Sequence, residues 1–206
     1  MPPVLGVVLA GGLSRRMGGG DKPLRQLGGR TLLDRVVSRL APQCGAGLIL
    51  NANGDPARFP GFPGTVVPDG VPDHPGPLAG ILAGLDHAAS HHPVVTHLAS
   101  VSGDAPFLPL DLVARLADAA EPVGTIAMAA SGAREHFTVA LWPVALRADL
   151  REALVVRGER RVGAFLRRHA AVAVSWPVEP YDPFANINAP EDLVAAEAVL
   201  ADMAGP

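Results

Sequence analysis

Hydrophobic and polar positions follow one another along this chain in short, separable blocks. VLGVVLA (4–10) is a brief apolar run rich in β-branched residues and predicts a buried strand. TLLDRVVSRLAP (31–42) places apolar residues at 32, 33, 36, 37 and 40, which is helical spacing, and Thr31 with Asp34 forms a capping pattern at its start. AGLILNAN (46–53) and TVVPD (65–69) predict strands that end in polar residues. GPLAGILAGLDHAASHH (76–92) predicts a helix with small residues on one face. VVTHLASVSGD (94–104) reads as a strand running into a loop, and PLDLVARLADAAE (109–121) as a helix with proline at or near its first turn. GTIAMAA (124–130) and HFTVALW (136–142) predict two further strands, followed by helices around 145–157 and 160–169. AVAVSWPV (171–178) is again strand-like, and APEDLVAAEAVLADM (189–203) is a terminal helix with Pro190 suited to the first helical position.

This alternation predicts an α/β fold with a largely parallel sheet. Such sheets bind ligands outside the carboxyl ends of their strands. The predicted strand ends, Leu9–Gly12, Asn51–Asn53, Asp69 and Asp104, are therefore expected along one rim. With 206 residues and neither a repeat nor a low-complexity linker, the expectation is one domain over 1–206. The Pro/Gly-rich stretch 54–64 reads as a surface connection. A net charge of −3 gives no global attraction to nucleic acid or an acidic membrane, so any anion site must be local. No apolar stretch approaches the roughly 18 residues of a membrane span. The short apolar run at the N-terminus lacks the basic flank of a signal peptide. Cys44 is the one cysteine, which leaves no intrachain disulfide and no cysteine-rich zinc site; reducing cytoplasm is the expected setting.

The candidate chemistry begins in LAGGLSRRMGGGDK (9–22), where five glycines, two arginines and a lysine follow the first strand. Glycines let backbone N–H groups approach a phosphate closely, Arg15 and Arg16 can fork onto its oxygens, and Lys22 adds a point charge. The stretch is neither a Walker A motif nor a GxGxxG dinucleotide motif. Asp104, in SGDAPFLP, can hold a hard cation such as Mg²⁺ between phosphate oxygens, although an Asp after a strand also serves as a turn former. Gly76 and Gly80, at the mouth of a predicted helix, suit ligand approach and tight helix–sheet packing equally. In FANINAP (184–190), Asn186 and Asn188 share one side of an extended segment, and the ordinary alternative is a helix N-cap near Asn188. GERR (158–161) offers a basic pair on a turn, a setting in which such charges are usually only solvated. His87 and His91 stand four apart on a helix but lack an accompanying carboxylate motif, so an exposed face is expected there. No GxSxG element points to a hydrolase.

LAGGLSRRMGGGDK, VVPD, DHPGPLAG, GDAPFLP and FANINAPEDL occur in this order. Together they resemble the molybdenum cofactor guanylyltransferases, the MobA type of nucleotidyltransferase, from Leu5 to about Leu200. The resemblance implies a Rossmann-like three-layer α/β/α sandwich. It also implies transfer of GMP from GTP to the phosphate of molybdenum-bound molybdopterin, with release of pyrophosphate and with Mg²⁺ as cofactor. Leu9, Ala10 and Gly11 would seat the guanine end, Lys22 would bind phosphate, and Asn51 and Asp69 would line the GTP pocket. Asp104 would hold Mg²⁺ and touch the nucleotide. Arg16, Gly19, Gly76, Gly80, Arg161, Asn186 and Asn188 match positions on the pterin side or at the reaction centre. A molybdopterin-insertion protein or a recipient molybdoenzyme would be a plausible protein partner; nucleic acid and membrane would not.

That reaction sets one anion against another, so the protein has chiefly to neutralise charge and align the groups in line. Lys22, Arg16 and Asp104 are suited to this, and the acceptor phosphate needs neither a protein nucleophile nor a general base. Related cytidylyltransferases usually carry LAAG where this chain has LAGG, and Gly11 leaves more room for a purine. One departure from the family pattern is His136-Phe137, where His-Pro is common.

Overall fold

The computed structural model describes residues 3–10, 21–71, 76–121 and 124–204. Every block predicted from the pattern has a counterpart among them. Leu5–Leu9 forms β1, Leu48–Asn51 β4, Thr65–Val67 β5, His97–Ser102 β6, Ala127–Ser131 β7, Arg134–Pro143 β8 and Val172–Trp176 β9. These strands build one sheet in the order β5-β4-β1-β6-β8-β7-β9. All neighbours pair in parallel except along β8, which runs antiparallel to both β6 and β7. Strand order runs outward from β1 to one side and then resumes from β6 on the other. The β1–β6 boundary, where Leu9 pairs with Ser102, is therefore the switch point of the sheet.

The faces of β1 show how the layers arise. Val4, Val8 and Ala10 point to one side, Leu5, Val7 and Leu9 to the other, the period-two alternation of a strand buried on both faces. The first face is covered by α1 (Leu32–Leu40) through Leu33, Val36 and Leu40 and by α3 (Leu112–Ala119) through Leu112, Val113 and Leu116. The second is covered by α2 (Pro77–His91), α4 (Arg147–Val155) and α5 (Val162–Arg168). The result is the three-layer α/β/α sandwich expected. α1 starts as its sequence predicts: the Thr31 hydroxyl accepts from the Asp34 N–H (3.0 Å) and the Asp34 carboxylate from the Thr31 N–H (3.2 Å).

Two details differ from the pattern. α3 begins at Leu112 rather than near Pro109, because Pro109 opens a turn in which the Leu112 N–H reaches its carbonyl. A two-stranded hairpin, β2 (Gln26–Leu27) and β3 (Arg30–Thr31), stands apart from the main sheet and turns through Gly28 and Gly29, both at positive φ. The hairpin meets α6 (Pro190–Ala204), whose Glu197 accepts from the Gly28 N–H (2.8 Å). Leu27, Leu32, Phe107, Ile187 and Ala196 form a small third core at this junction. That core ties together the three segments that carry Lys22, Asp104 and Asn188.

No described helix is long and apolar enough to cross a membrane. Phe137 of the His136-Phe137 departure lies inside β8, not at a turn, and its ring packs where a side chain on Gly163 would stand.

Candidate active site

The site is built at the carboxyl ends of β1, β4 and β6. Beyond β6 the chain turns tightly: the Gly103 N–H donates to the Leu9 carbonyl (3.0 Å), which brings the two strand ends together. Asp104 follows. One of its carboxylate oxygens accepts from the Ser102 hydroxyl (2.5 Å), and the other is ion-paired with the Lys22 ammonium. Lys22 opens a single 3₁₀ turn, Lys22–Leu24, with Pro23 in its first positions. The same ammonium donates to the Asn188 side-chain oxygen (2.6 Å). Two segments 82 and 166 residues away thus converge on Lys22, with Lys22 and Asp104 only 15% and 14% exposed. Asn188 is free for this contact because it does not cap α6. Asp192, the third residue of α6, reaches back and accepts from the Asn188 N–H (2.7 Å) and the Ala189 N–H (2.9 Å). Ile187 is buried while Asn186 and Asn188 are less so, in keeping with the two asparagines sharing a side. The Ile187 N–H donates to the Asp104 carbonyl (2.9 Å), which ties this segment to the end of β6.

A second polar group closes the β4–β5 side. Asp69 accepts from the Asn51 amide on one oxygen (2.9 Å) and from the Asn53 amide on the other (2.8 Å). Its own N–H donates back to the Asn53 side chain (2.9 Å). Asn51 is buried, and its amide also reaches the Val67 carbonyl (3.2 Å). Gly80 makes room for it: a Cβ there would stand 2.2 Å from the Asn51 side-chain oxygen and 2.9 Å from Leu9. Of the two readings open for Gly80, packing is the one the structure displays. Gly76 differs. It caps the start of α2 at φ 89°, a conformation suited to glycine, and no described residue lies within 4 Å of where a side chain would stand. Ala10 is buried, and its N–H donates to the Asn51 carbonyl (2.9 Å), which joins the first strand end to this wall.

Leu9, Ala10, Lys22, Asn51, Asp69, Asp104, Gly76, Gly80, Asn186 and Asn188 all lie along this rim. Arg161 is exposed at the start of α5, its backbone N–H held by Glu159 (2.9 Å), and no hydrogen bond or ion pair among the described residues joins it to Lys22, Asp104 or Asn188. Gly11, Arg16 and Gly19 lie outside the described residues, as does most of the glycine-rich loop. Three contributors have no place in the motif reading as site residues: Ser102, Asn53 and Arg58. The Arg58 guanidinium donates to the Asn53 carbonyl (2.7 Å) and pairs with Asp21 (3.2 Å), so it links the Asn53–Asp69 wall to the residue before Lys22. Asn53 was at least marked by its place at a strand end; Arg58, in the Pro/Gly-rich connection, carries no sequence signal.

Among the described residues no three His, Cys, Asp or Glu side chains are grouped to cage a metal ion. His87 and His91 stack on each other (4.3 Å between ring centroids), with His91 exposed. Asp104 instead offers a single carboxylate next to a hydroxyl. That suits Mg²⁺, which takes one or two carboxylates and completes its octahedron with water and substrate phosphate oxygens. Chemically, the rim can bind a polyphosphate, hold a hard cation through Asp104 and present amide groups to a base or sugar.

A profile described as MobA-like NTP transferase domain matches residues 6–172. The chain is 58% identical to a molybdenum cofactor guanylyltransferase of Bradyrhizobium sp. (strain ORS 278), over 96% of this chain and 93% of that one. It is 54% identical to one of Nitrobacter hamburgensis, over 98% and 96%. In fold it is similar to the molybdopterin-guanine dinucleotide biosynthesis protein A of Archaeoglobus fulgidus, with a TM-score of 0.73, 22% identity and coverage of 97% and 100%.

Proposed function

The chain belongs to the MobA-like NTP transferase family, and from that premise we infer that it transfers GMP from GTP to the phosphate of molybdenum-bound molybdopterin. An oxygen of the pterin phosphate attacks the α-phosphorus of GTP. A new P–O–P linkage forms, the bond from the α-phosphorus to the bridging oxygen of the β-phosphate breaks, and pyrophosphate leaves with that electron pair. The products are pyrophosphate and the guanine dinucleotide form of the cofactor.

The observation that carries this reading is the convergence of Lys22, Asp104 and Asn188 at the sheet's switch point. Lys22 binds phosphate and screens the approach of one anion to the other. Its ammonium has three donors, so it can keep the Asn188 contact while it turns from Asp104 to a phosphate oxygen. Asp104, oriented by Ser102, would hold Mg²⁺; when bound, that ion neutralises charge on the triphosphate. Asn51 and Asp69 line the nucleotide side, with Asn53 fixing the plane of the Asp69 carboxylate. Leu9, Ala10 and Gly11 seat the guanine. Arg16, Gly19, Gly76, Gly80, Arg161, Asn186 and Asn188 belong to the pterin side or the reaction centre; Gly80 also leaves the room that the Asn51 side chain occupies. A protein that receives the finished cofactor would dock over this same rim.

The test is a side-by-side assay with molybdenum-loaded pterin, Mg²⁺ and either GTP or CTP. Pyrophosphate release and formation of the guanine dinucleotide are expected with GTP. Equal or better turnover with CTP would sink the base assignment, and transfer only to a sugar or alcohol phosphate would sink the acceptor.

A further inference from the structure

One buried polar group has no part in the chemistry above. Ser131, at the end of β7, is 2% exposed, and His136, on β8, is 7% exposed. The Ser131 oxygen lies 2.6 Å from His136 Nε2 and 2.8 Å from a carboxylate oxygen of Asp182. We infer that Ser131 and His136 are positioning residues that clamp the Asp182–Asn188 segment and so set the acceptor side of the active site. This rests on the assignment of Asn186 and Asn188 to the pterin side.

The direction of the hydrogen bonds is fixed by what each group can do. A carboxylate only accepts, so the Ser131 hydroxyl donates to Asp182. Its lone pair is then left to accept from Nε2–H of His136. Burial holds His136 below its ordinary range, against the opposing effect of Asp182 and with Arg134 adding to the lowering, which fits a neutral ring with one N–H. His136 is therefore a donor to serine and not its base. This is the reverse of a hydrolase triad, and the serine is too buried to attack a substrate.

The chain leads towards the site. The same Asp182 oxygen that accepts from Ser131 also accepts from the Phe184 N–H (3.0 Å), and the Asp182 carbonyl accepts from the Ala185 N–H (3.2 Å). Asp182 is thereby both the knot of a turn and the point at which that turn is pinned to the sheet. Phe184 closes the knot from above, with its ring 4.8 Å from His136 and edge-on to Trp176 at 5.3 Å. A few residues on, Ile187 is tied to the Asp104 carbonyl and Asn188 to Lys22. The segment is thus held at two ends, with Asn186 in the span between them.

Apolar residues could fill the same volume with little or no loss of stability. What the polar chain adds is a fixed position for Asp182, and displacement of a reacting group by about 1 Å can cost on the order of a hundredfold in rate.

The test compares Ser131→Ala, His136→Leu and His136→Gln with the unaltered chain. Gln keeps an N–H donor at similar reach. Hydrogen exchange across residues 181–189 is measured, together with the KM for loaded pterin and the affinity for GTP with Mg²⁺. Ser131→Ala and His136→Leu are expected to speed exchange in that stretch and to lower kcat/KM for the pterin by about tenfold or more, through KM. GTP affinity should stay within about twofold, and His136→Gln should recover most of both losses. Unchanged exchange overturns the clamp. Faster exchange with an unchanged pterin KM reduces the chain to a structural role and overturns the inference as well. If the unaltered chain does not use the pterin at all, the acceptor assignment fails, while the exchange measurement still decides whether the clamp exists.

Discussion

Asp104 and Asp149 are both carboxylates gripped by cationic side chains, yet their neighbourhoods are built from different parts of the chain. Asp149 accepts from Arg157 (2.8 Å), Arg168 (3.2 Å) and His169 (2.6 Å), all within twenty residues of it on α4, α5 and their flanks. It is one-third exposed, and its partners outnumber it. Among the described residues Asp104 is paired with one cation, Lys22, from a segment 82 residues away, and it is 14% exposed at the sheet's switch point. By count of charges among the described residues Asp149 is the richer cluster. By position it belongs to the packing of two consecutive helices, whereas Asp104 sits where strand ends open towards a ligand. A cluster of charge becomes a candidate site through its place in the topology and the distance in sequence over which it is assembled.

Breaking the Asp104 side gives the largest expected effect. Asp104→Ala removes the carboxylate proposed to hold Mg²⁺ and, among the described residues, leaves the Lys22 ammonium its contact with Asn188. Guanylyl transfer should fall by about 10²–10³ in kcat, and the Mg²⁺ dependence of what remains should flatten. Full activity with an unaltered Mg²⁺ titration would remove Asp104 from its assigned role. Lys22→Ala comes next. A hydrogen bond to a charged group contributes about 1.5–3 kcal/mol, so GTP affinity measured by calorimetry should weaken roughly ten- to a hundredfold. If the affinity did not change, Lys22 would be a partner of Asp104 and no more.

The comparison also shows what could be read in advance. β1, α1 and α2 are written locally, in an apolar run, a capping pair and helical spacing, so the layers and the rim follow from sequence. Lys22, Asp69 and Asp104 were legible because they end predicted strands or close the glycine-rich loop. Their mutual arrangement was not. Nothing local in FANINAP says that Asp192 reaches back to the backbone before α6 while the Asn188 side chain meets a lysine 166 residues away. The hairpin β2–β3 was missed because two-residue strands have no period to detect. Ser131, His136 and Asp182 were missed for a related reason: each is an ordinary polar residue in its own segment, and only strand pairing and the return of the chain after β9 bring them together.

The smallest effect sharpens the contrast from the other side. Asp149→Asn keeps the size of the side chain and removes the charge of a cluster that belongs to α4 and α5. Guanylyl transfer should be unchanged, and the consequence should appear in stability alone. The Arg157 hydrogen bond, with help from His169 and Arg168, lowers the Asp149 carboxyl from the ordinary 3.8 to about 2. The folded state therefore holds the charged form more tightly than the unfolded state does. This stabilisation is fully present above the ordinary value and is lost as pH falls from about 4 through about 2. Because the group is one-third exposed, solvent and salt screen the pair, and a difference in Tm of about 2 °C at neutral pH and low salt is expected. Thermal melts of the two proteins should converge as the pH is taken down through that window, and also as salt is added at neutral pH. A gap that is undiminished at about pH 2 would mean that shape or hydrogen bonding at Asp149, and not its charge, holds α4 and α5 together. A loss of transfer activity would mean that this cluster and the rim are coupled after all.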